Sequence, residues 1–163
     1  MRMADMLTLF DYNYWATGRI LEQAVRLSSE QFLTAPDGHV TSLRDTLAHM
    51  LGSERLLRSR WEQGVSSSRL DPEDFPSVEA LRLAWSEEER QLRASLAMLD
   101  DEALAQPARF ERRGAVVSYT LWHLMVQLVN HGTHHRSEAA ALLTAYGHSP
   151  GDLDFFHFVP PQD

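Results

Sequence analysis

Three histidines fall within five positions in the stretch VNHGTHHRSEAAALL, residues 129–143. His131 and His135 are four residues apart, and on a helix this spacing places their Cβ atoms roughly 5–6 Å apart on one face. Two imidazoles at that separation can bind one metal ion through their ring nitrogens. No glutamate stands between them, so the His-Glu-x-x-His motif of zinc proteases is absent. Since the same spacing occurs in helices that bind no metal, the pair alone leaves a structural role open.

The helix that carries these histidines is predicted at residues 120–146, where apolar residues recur with the helical period. His135 lies within the apolar arc of this helix and His131 lies at its edge. His134 falls on the polar face and is expected to be a surface neighbour of the site. Gly132 lies in the middle of the arc, where the missing side chain costs helix stability but lets another helix come close. This pattern is compatible with a site between helices.

A third candidate ligand lies on a second predicted helix, at residues 42–64. His49 flanks the apolar face of this helix, where its ring could line a cleft or simply face solvent. Asp45, one turn earlier, could orient the His49 ring or merely favour the positive end of the helix. Glu54 is the most inward-facing acid of the helix. It could act in acid–base chemistry or be the buried partner of an arginine such as Arg136, which could instead hold an anionic substrate.

Four amphipathic stretches are predicted to be long helices, and together they predict an all-α four-helix bundle that forms a single domain over residues 1–163. Their ranges are 3–27, 42–64, 78–99 and 120–146. The expected buried stripe of the first helix contains Leu7, Phe10, Tyr14, Leu21 and Ala24.

The connections between these helices contain turn-forming residues. Residues 28–41, SSEQFLTAPDGHVT, are expected to be a loop. Between the third and fourth helices, apolar residues flank Arg113-Gly114 and predict a short β-hairpin or an extended connection. The tail, residues 151–163, has three phenylalanines and is expected to pack back on the body.

Composition limits the classes of function. The chain has 163 residues, of which 44% are hydrophobic and 23% charged, which is ordinary for a globular domain. The formal net charge of −8 argues against non-specific nucleic-acid binding. Neither a signal peptide nor a membrane-spanning run is recognisable, so a cytoplasmic protein without membrane association is expected. Because there is no cysteine, disulfides, thiolate ligands and a cysteine nucleophile are excluded.

Three segments together resemble the DinB/YfiT-like family of metal-dependent enzymes. LFDYNYWATGRIL resembles the family's first helix, with its aromatic residues, asparagine and Trp-Ala pair, ending in arginine and aliphatic residues. SLRDTLAHMLGSERLLRSRW resembles its second helix, with a histidine, a glutamate five residues later and a final tryptophan. LWHLMVQLVNHGTHHRSEAAALLTAYGHSPGDLDFFHFV resembles its last helix and tail. The likeness covers most of the chain.

The resemblance implies a four-helix bundle in which His49, His131 and His135 hold one divalent ion, with zinc or nickel expected first and iron, cobalt or manganese as alternatives. It also implies a homodimer that acts on a small-molecule substrate. Some relatives transfer low-molecular-weight thiols such as bacillithiol, mycothiol or glutathione to electrophiles, so a thiol S-transferase or a related hydrolase is expected. The alternative is a non-catalytic metal-binding or stress-related interaction bundle.

Two positions depart from the family pattern. The family often has His-Arg-Gly-Gln at its last ligand, whereas this chain has Ser137 and Glu138 after His135-Arg136. The family also often has a histidine one turn before the first ligand of the last helix, where this chain has Gln127. All three expected ligands are present, so these departures are expected to affect substrate handling.

Overall fold

A computed structural model describes residues 1–159 and 161. Four long helices dominate it: α1 (Met3–Ala24), α3 (Leu43–Gln63), α4 (Val78–Leu96) and α6 (Leu121–Ala145). Three short helices, α2 (Ser29–Leu33), α5 (Asp101–Leu104) and α7 (Phe155–Phe158), and a 3₁₀ turn at Pro72–Asp74 lie between or after them. The strands β1 (Pro107–Arg112) and β2 (Ala115–Thr120) form one antiparallel sheet. The described chain is therefore mostly helical with a small hairpin.

The long helices begin and end at residues that satisfy their free backbone groups. The Ser42 hydroxyl accepts a hydrogen bond from the Asp45 backbone N–H at 3.1 Å, at the start of α3. Gly64 follows the last turn of this helix with a φ of 70°, a left-handed conformation that glycine adopts without a Cβ clash. Ser77 caps α4 in the same way as Ser42 caps α3. Ser42 and Gly64 thus mark the two ends of α3, which carries His49.

The predicted hairpin is confirmed between α5 and α6. Arg112 pairs with Ala115 in the ladder, so a two-residue turn joins the strands. Its residues, Arg113 and Gly114, both have positive φ, 53° and 79°. This is the backbone that a type I′ turn requires, and its twist matches that of the strands. Strand β1 packs against α3, and β2 continues directly into α6.

The four long helices share one core. Helices α1 and α3 each contact both α4 and α6, and the contact between α3 and α6 is extensive. Fully buried side chains from all four helices fill the interior: Met6, Phe10, Ile20, Leu47, Leu51, Leu81, Leu92, Met125 and Leu143. Because α3 and α6 pack along each other, residues far apart in sequence meet at their shared edge.

Several predicted details of the first helix and its loop are wrong. Helix α1 ends at Ala24, three residues early, and Leu7 is 41% exposed because the buried stripe passes through Met6 instead. The predicted loop 28–41 contains the short helix α2, with Ser28 as its N-cap and Phe32 buried beneath it.

The tail packs back on α1, as predicted. The Tyr12 hydroxyl donates a hydrogen bond to the Leu153 carbonyl at 3.0 Å, and the Phe155 ring meets the Tyr12 ring edge to face at 5.2 Å. Residues 160, 162 and 163 of the predicted tail lie outside the described residues. Across the described part of the chain, no helix combines the length and apolar content needed to span a bilayer.

Candidate metal centre

The three predicted ligands meet where α3 packs on α6. His49 on α3 approaches His131 on α6, and their Nε2 atoms are 3.2 Å apart. The His135 ring lies 4.5 Å from both other rings, measured between centroids. One ligand atom from each of the three histidines lies within 4.8 Å of the other two. The structure thus brings together two imidazoles from one helix face and one from a stretch of chain 82 residues away.

The spacing of these nitrogens suits one shared cation. In a tetrahedral site with metal–nitrogen bonds of about 2.0–2.1 Å, two ligand nitrogens lie about 3.3 Å apart. The 3.2 Å between the Nε2 atoms of His49 and His131 is close to that value. At this distance the two nitrogens can share either a proton or a metal ion. The donor set of three imidazoles fits zinc, nickel, cobalt or iron.

The surroundings favour the neutral imidazoles that metal binding requires. Burial, together with the nearby His135 and His49 rings, lowers the pKa of His131 to about 4. Burial also lowers the pKa of His49, with His135 adding to the effect. Desolvation disfavours the charged ring, as does the proximity of a second potential cation. Near neutral pH, His49 and His131 therefore each present a nitrogen lone pair.

Glu138 holds the third histidine in place, a contact that the sequence analysis missed. Its Oε2 atom lies 2.7 Å from Nδ1 of His135, and its Oε1 atom lies 3.2 Å from Nε2 of His134. The hydrogen bond from His135 holds the pKa of Glu138 below its usual range. With Nδ1–H donating to the carboxylate, His135 presents Nε2 to the other two rings, an arrangement typical of metal-ligating histidines. Of the two roles considered for Asp45, the structure shows the one at the start of α3, where its carboxylate accepts a hydrogen bond from Arg44 Nε at 3.0 Å.

Glu138 also belongs to a second possible ligand group, formed by His134, His135 and Glu138. All three lie within a little more than one turn of α6, and both His134 and Glu138 are exposed. A cluster on one exposed helix surface is common without a metal ion. The cluster of three histidines differs because it joins two helices and places two of its rings in half-buried positions. We therefore take His49, His131 and His135 as the candidate ligands.

Glu54 is buried behind the histidine cluster and is 3% exposed. Its carboxylate accepts a hydrogen bond from the Tyr14 hydroxyl on α1. Burial raises the pKa of Glu54 to about 7. A cavity of about 10 Å³ is lined in part by Glu54, Trp85 and His131. The position confirms that Glu54 faces inward, but its partner is a tyrosine and not an arginine.

Arg136 is also buried, at 2% exposed, and its guanidinium contacts other groups than those predicted. Nη1 donates to Asn13 Oδ1 on α1 at 2.5 Å, and Nη2 donates to Thr133 Oγ1 at 2.9 Å. The predicted pairing with Glu54 is therefore wrong. An arginine this deeply buried is also not placed to meet an anion from solvent. It links α1 to the turn of α6 that carries His131.

Gly132 makes room for this link. A Cβ atom at Gly132 would lie 2.7 Å from both Arg136 Nη1 and Asn13 Oδ1. The expected close approach at this glycine is therefore real, and the approaching groups are the guanidinium and the amide of Asn13. Asn13 itself was missed as a site-supporting residue, although it stands in the aromatic segment of the first helix. Its signal was a polar residue on a buried helix face.

Comparisons with known proteins agree with the family resemblance found in the sequence. A family model described as the DinB family matches residues 3–162. Protein DinB of Bacillus subtilis (strain 168) is 24% identical over 162 residues, covering 90% of this chain and 89% of that protein. The crystal structure of a DinB-like protein from Bacillus cereus ATCC 10987 is similar in fold, with a TM-score of 0.69 and 17% identity over 93% of this chain and 97% of that chain. The chain belongs to the DinB family.

Proposed function

We propose that the protein is a divalent-metal-dependent enzyme built on a four-helix bundle, with one ion held by His49, His131 and His135. The observation that carries this proposal is the convergence of three imidazoles from two helices, with Nε2 atoms of His49 and His131 3.2 Å apart. Three protein ligands leave at least one coordination position open, which distinguishes catalytic from closed structural sites. Zinc or nickel is the expected ion, with iron, cobalt and manganese as alternatives.

In this proposal, the bound ion and the residues around the three histidines have different roles. A bound divalent ion would supply Lewis acidity and lower the pKa of a coordinated thiol or water. Glu138 fixes the orientation of the His135 ring through Nδ1. Arg136 and Asn13 tie the His131 turn to α1. Glu54 is assigned no direct contact with the ion in this proposal, because its buried carboxylate accepts a hydrogen bond from Tyr14 and shares only a small cavity with His131.

The reaction we propose is the transfer of a low-molecular-weight thiol to an electrophile, with hydrolysis as the related reaction. The chain has no cysteine, so the sulfur nucleophile would have to come from a small molecule. In the transfer, the thiol loses its proton to solvent, its sulfur forms a bond to the electrophilic carbon, and the leaving group departs with the electron pair of the broken bond. His131 lines a cleft of about 630 Å³ that has room for such reactants. We also propose a homodimer, which sedimentation velocity would test.

Metal binding is tested first, by calorimetric titration of untagged, metal-free protein with Zn²⁺ and with Ni²⁺. We expect His49→Ala, His131→Ala and His135→Ala each to weaken binding at least about a hundredfold, because each removes one of three ligands. The matched control is His134→Ala, a neighbouring histidine outside the three-ring cluster, which should bind within a few fold of wild type. Equal affinities in all four variants would refute the assignment.

Turnover is tested separately, with glutathione, bacillithiol or mycothiol and 1-chloro-2,4-dinitrobenzene as electrophile. We expect product formation by the metal-loaded protein and none above background for the metal-free protein or His131→Ala. An ester substrate without thiol tests the hydrolase alternative. Tight metal binding with no turnover in either assay would instead support a non-catalytic metal-binding bundle.

A further inference from the structure

The residues that line a cleft beside the histidine cluster indicate which class of small molecule it can bind. It lies between α3, α6 and the hairpin, and its volume is about 630 Å³. Three elements contribute its lining residues: Ser53, Leu56, Leu57 and Arg60 from α3; Phe110, Arg112 and Tyr119 from the hairpin; and His123, Leu124, Gln127 and His131 from α6. Among these lining residues of the described chain there is no aspartate or glutamate. The cleft is therefore apolar along its walls and basic in its charged groups.

The two ends of the cleft differ. Ser53 and His131 mark one end, since both also line the small cavity in front of Glu54. Arg60 lies seven residues after Ser53 on the same helix, which corresponds to roughly 10 Å along its axis. Arg112 on β1 lies near Arg60, because both side chains line this cleft and also line a neighbouring surface pocket. The histidine end and the arginine end are thus separated by about the length of a small organic molecule.

Within the described residues, neither Arg60 nor Arg112 forms an ion pair with an acidic side chain. Arg60 is half-buried, its guanidinium carbon lies 4.7 Å from the centre of the Phe110 ring, and its Nε donates to Ser66 Oγ at 3.1 Å. Keeping two guanidinium groups close together without a carboxylate costs free energy. In a chain with a net charge of −8, such a pair facing a cleft is suited to an anion from outside.

We propose that this cleft binds a small organic anion with an apolar body, whose carboxylate or sulfonate lies between Arg60 and Arg112 and whose other end reaches His131. Leu56, Leu57, Leu124 and Phe110 supply the apolar contact, and Tyr119 closes the hairpin side. The inference deepens the proposed function and rests on it in one respect: the bound anion is a reactant only if the histidines hold the metal. Binding of the anion itself does not depend on the metal.

The test compares two fluorescent probes that differ in one charged group. The probe 8-anilinonaphthalene-1-sulfonate carries an apolar body and a sulfonate, whereas N-phenyl-1-naphthylamine has the same rings without the anion. We expect Arg60→Gln and Arg112→Gln each to weaken sulfonate-probe binding about tenfold and the double variant about a hundredfold. Binding of the neutral probe should change less than about threefold. Arg60→Lys, which keeps the charge, should retain most of the affinity.

The matched control is Arg109→Gln, which removes the same charge from the same strand. Side chains alternate along a strand, so Arg109 lies on the face of β1 opposite Phe110 and Arg112. Equal weakening by Arg109→Gln, unchanged binding in the double variant, or equal loss of both probes would each overturn the proposal. If Arg60→Gln lowers the melting temperature, the exposed Arg112 still carries the test, because its substitution removes no core contact.

Failure of this inference is distinguishable from failure of the proposed function. His49 does not line the cleft, so His49→Ala should weaken metal binding at least about a hundredfold and leave sulfonate-probe affinity unchanged. The arginine variants should leave the Zn²⁺ titration unchanged. If metal binding is normal but the arginine substitutions do not change the affinity for the sulfonate probe, only the anion site is refuted. Arginine-dependent probe binding without metal binding refutes only the metal centre.

Discussion

Replacing Gly132 by alanine tests whether the buried contact between α1 and α6 supports the candidate site. An alanine in the middle of an exposed helix is favoured over glycine by about 1 kcal/mol. At Gly132, however, the new Cβ atom would lie 2.7 Å from both Arg136 Nη1 and Asn13 Oδ1. Contacts this short between non-bonded carbon and polar atoms are repulsive, so the guanidinium or the amide must move. Either movement breaks their 2.5 Å hydrogen bond.

The size of the loss follows from the burial of Arg136. A buried charged group that loses its partner typically costs about 3 kcal/mol or more. Subtracting the gain of about 1 kcal/mol in helix propensity leaves a net destabilisation of about 2 kcal/mol. For a chain of this length, such a change lowers the melting temperature by about 4–8 °C.

The matched control is Gly18→Ala on α1, where a new Cβ atom meets nothing within 4 Å. This variant should gain up to about 1 kcal/mol, because only the helix propensity changes. Thermal unfolding by circular dichroism and urea denaturation would measure both variants. In an Asn13→Ala background, the cost of Gly132→Ala should fall, since one of the two clashing atoms is gone. If Gly132→Ala proved as stable as Gly18→Ala, the role assigned to the buried guanidinium would be wrong.

Two further substitutions test the groups around the histidine cluster. Glu138→Ala removes the carboxylate that orients His135, so the affinity for Zn²⁺ measured by calorimetry should fall about 10–100-fold. The control His134→Gln should change this affinity less than about threefold. Equal effects of the two substitutions would contradict the orienting role of Glu138. Burial raises the pKa of Glu54 to about 7, above the ordinary 4.5, so its contribution to the free energy of unfolding is present below pH 4.5 and is lost as pH rises through 7. Glu54→Gln should therefore reduce the difference in unfolding free energy between pH 5 and pH 8 by roughly 2.5 kcal/mol, measured by urea denaturation. The exposed Glu22→Gln is the control, and an equal change there would contradict the argument.

The sequence predicted those parts of the fold that depend on local chemistry. The hairpin was predictable because Arg113-Gly114 suits a two-residue turn and apolar residues flank it. Helix α2 was also within reach, since Ser28 and Gln31 form a reciprocal cap in which Gln31 N–H donates to Ser28 Oγ at 3.2 Å. The turn residues around it obscured that signal. The stripe of α1 was placed incorrectly at Leu7 because Met6, one residue earlier, fits the same period nearly as well.

In the candidate site, too, only the features that depend on local sequence could be predicted. The spacing of His131 and His135 is local, so one helix face could be predicted from the sequence. The place of His49 depends on how α3 packs on α6, which periodicity alone left open between a cleft and solvent. The contact of Arg136 with Asn13 spans 123 residues and buries a charge, so no local pattern indicates it. The usual preference of arginine also argues against this contact, because arginine is rarely buried without a carboxylate.

The two departures from the family pattern lie on opposite sides of the histidine cluster. Glu138 contacts His135, so the first departure lies beside a ligand of the proposed metal site, and its effect on substrate handling stays a prediction. A carboxylate there adds negative charge near a cation and fixes the ring that must bind it. Gln127 lines the cleft one turn before His131, so the second departure lies in the proposed anion cleft, and its effect on substrate handling stays a prediction. An amide is a weaker ligand than an imidazole for the metals in question. In the proposed site, the coordination position of the ion that faces the cleft is thus free for the incoming reactant. Glu138 strengthens the binding of the ion by His135 on the side that faces away from the cleft.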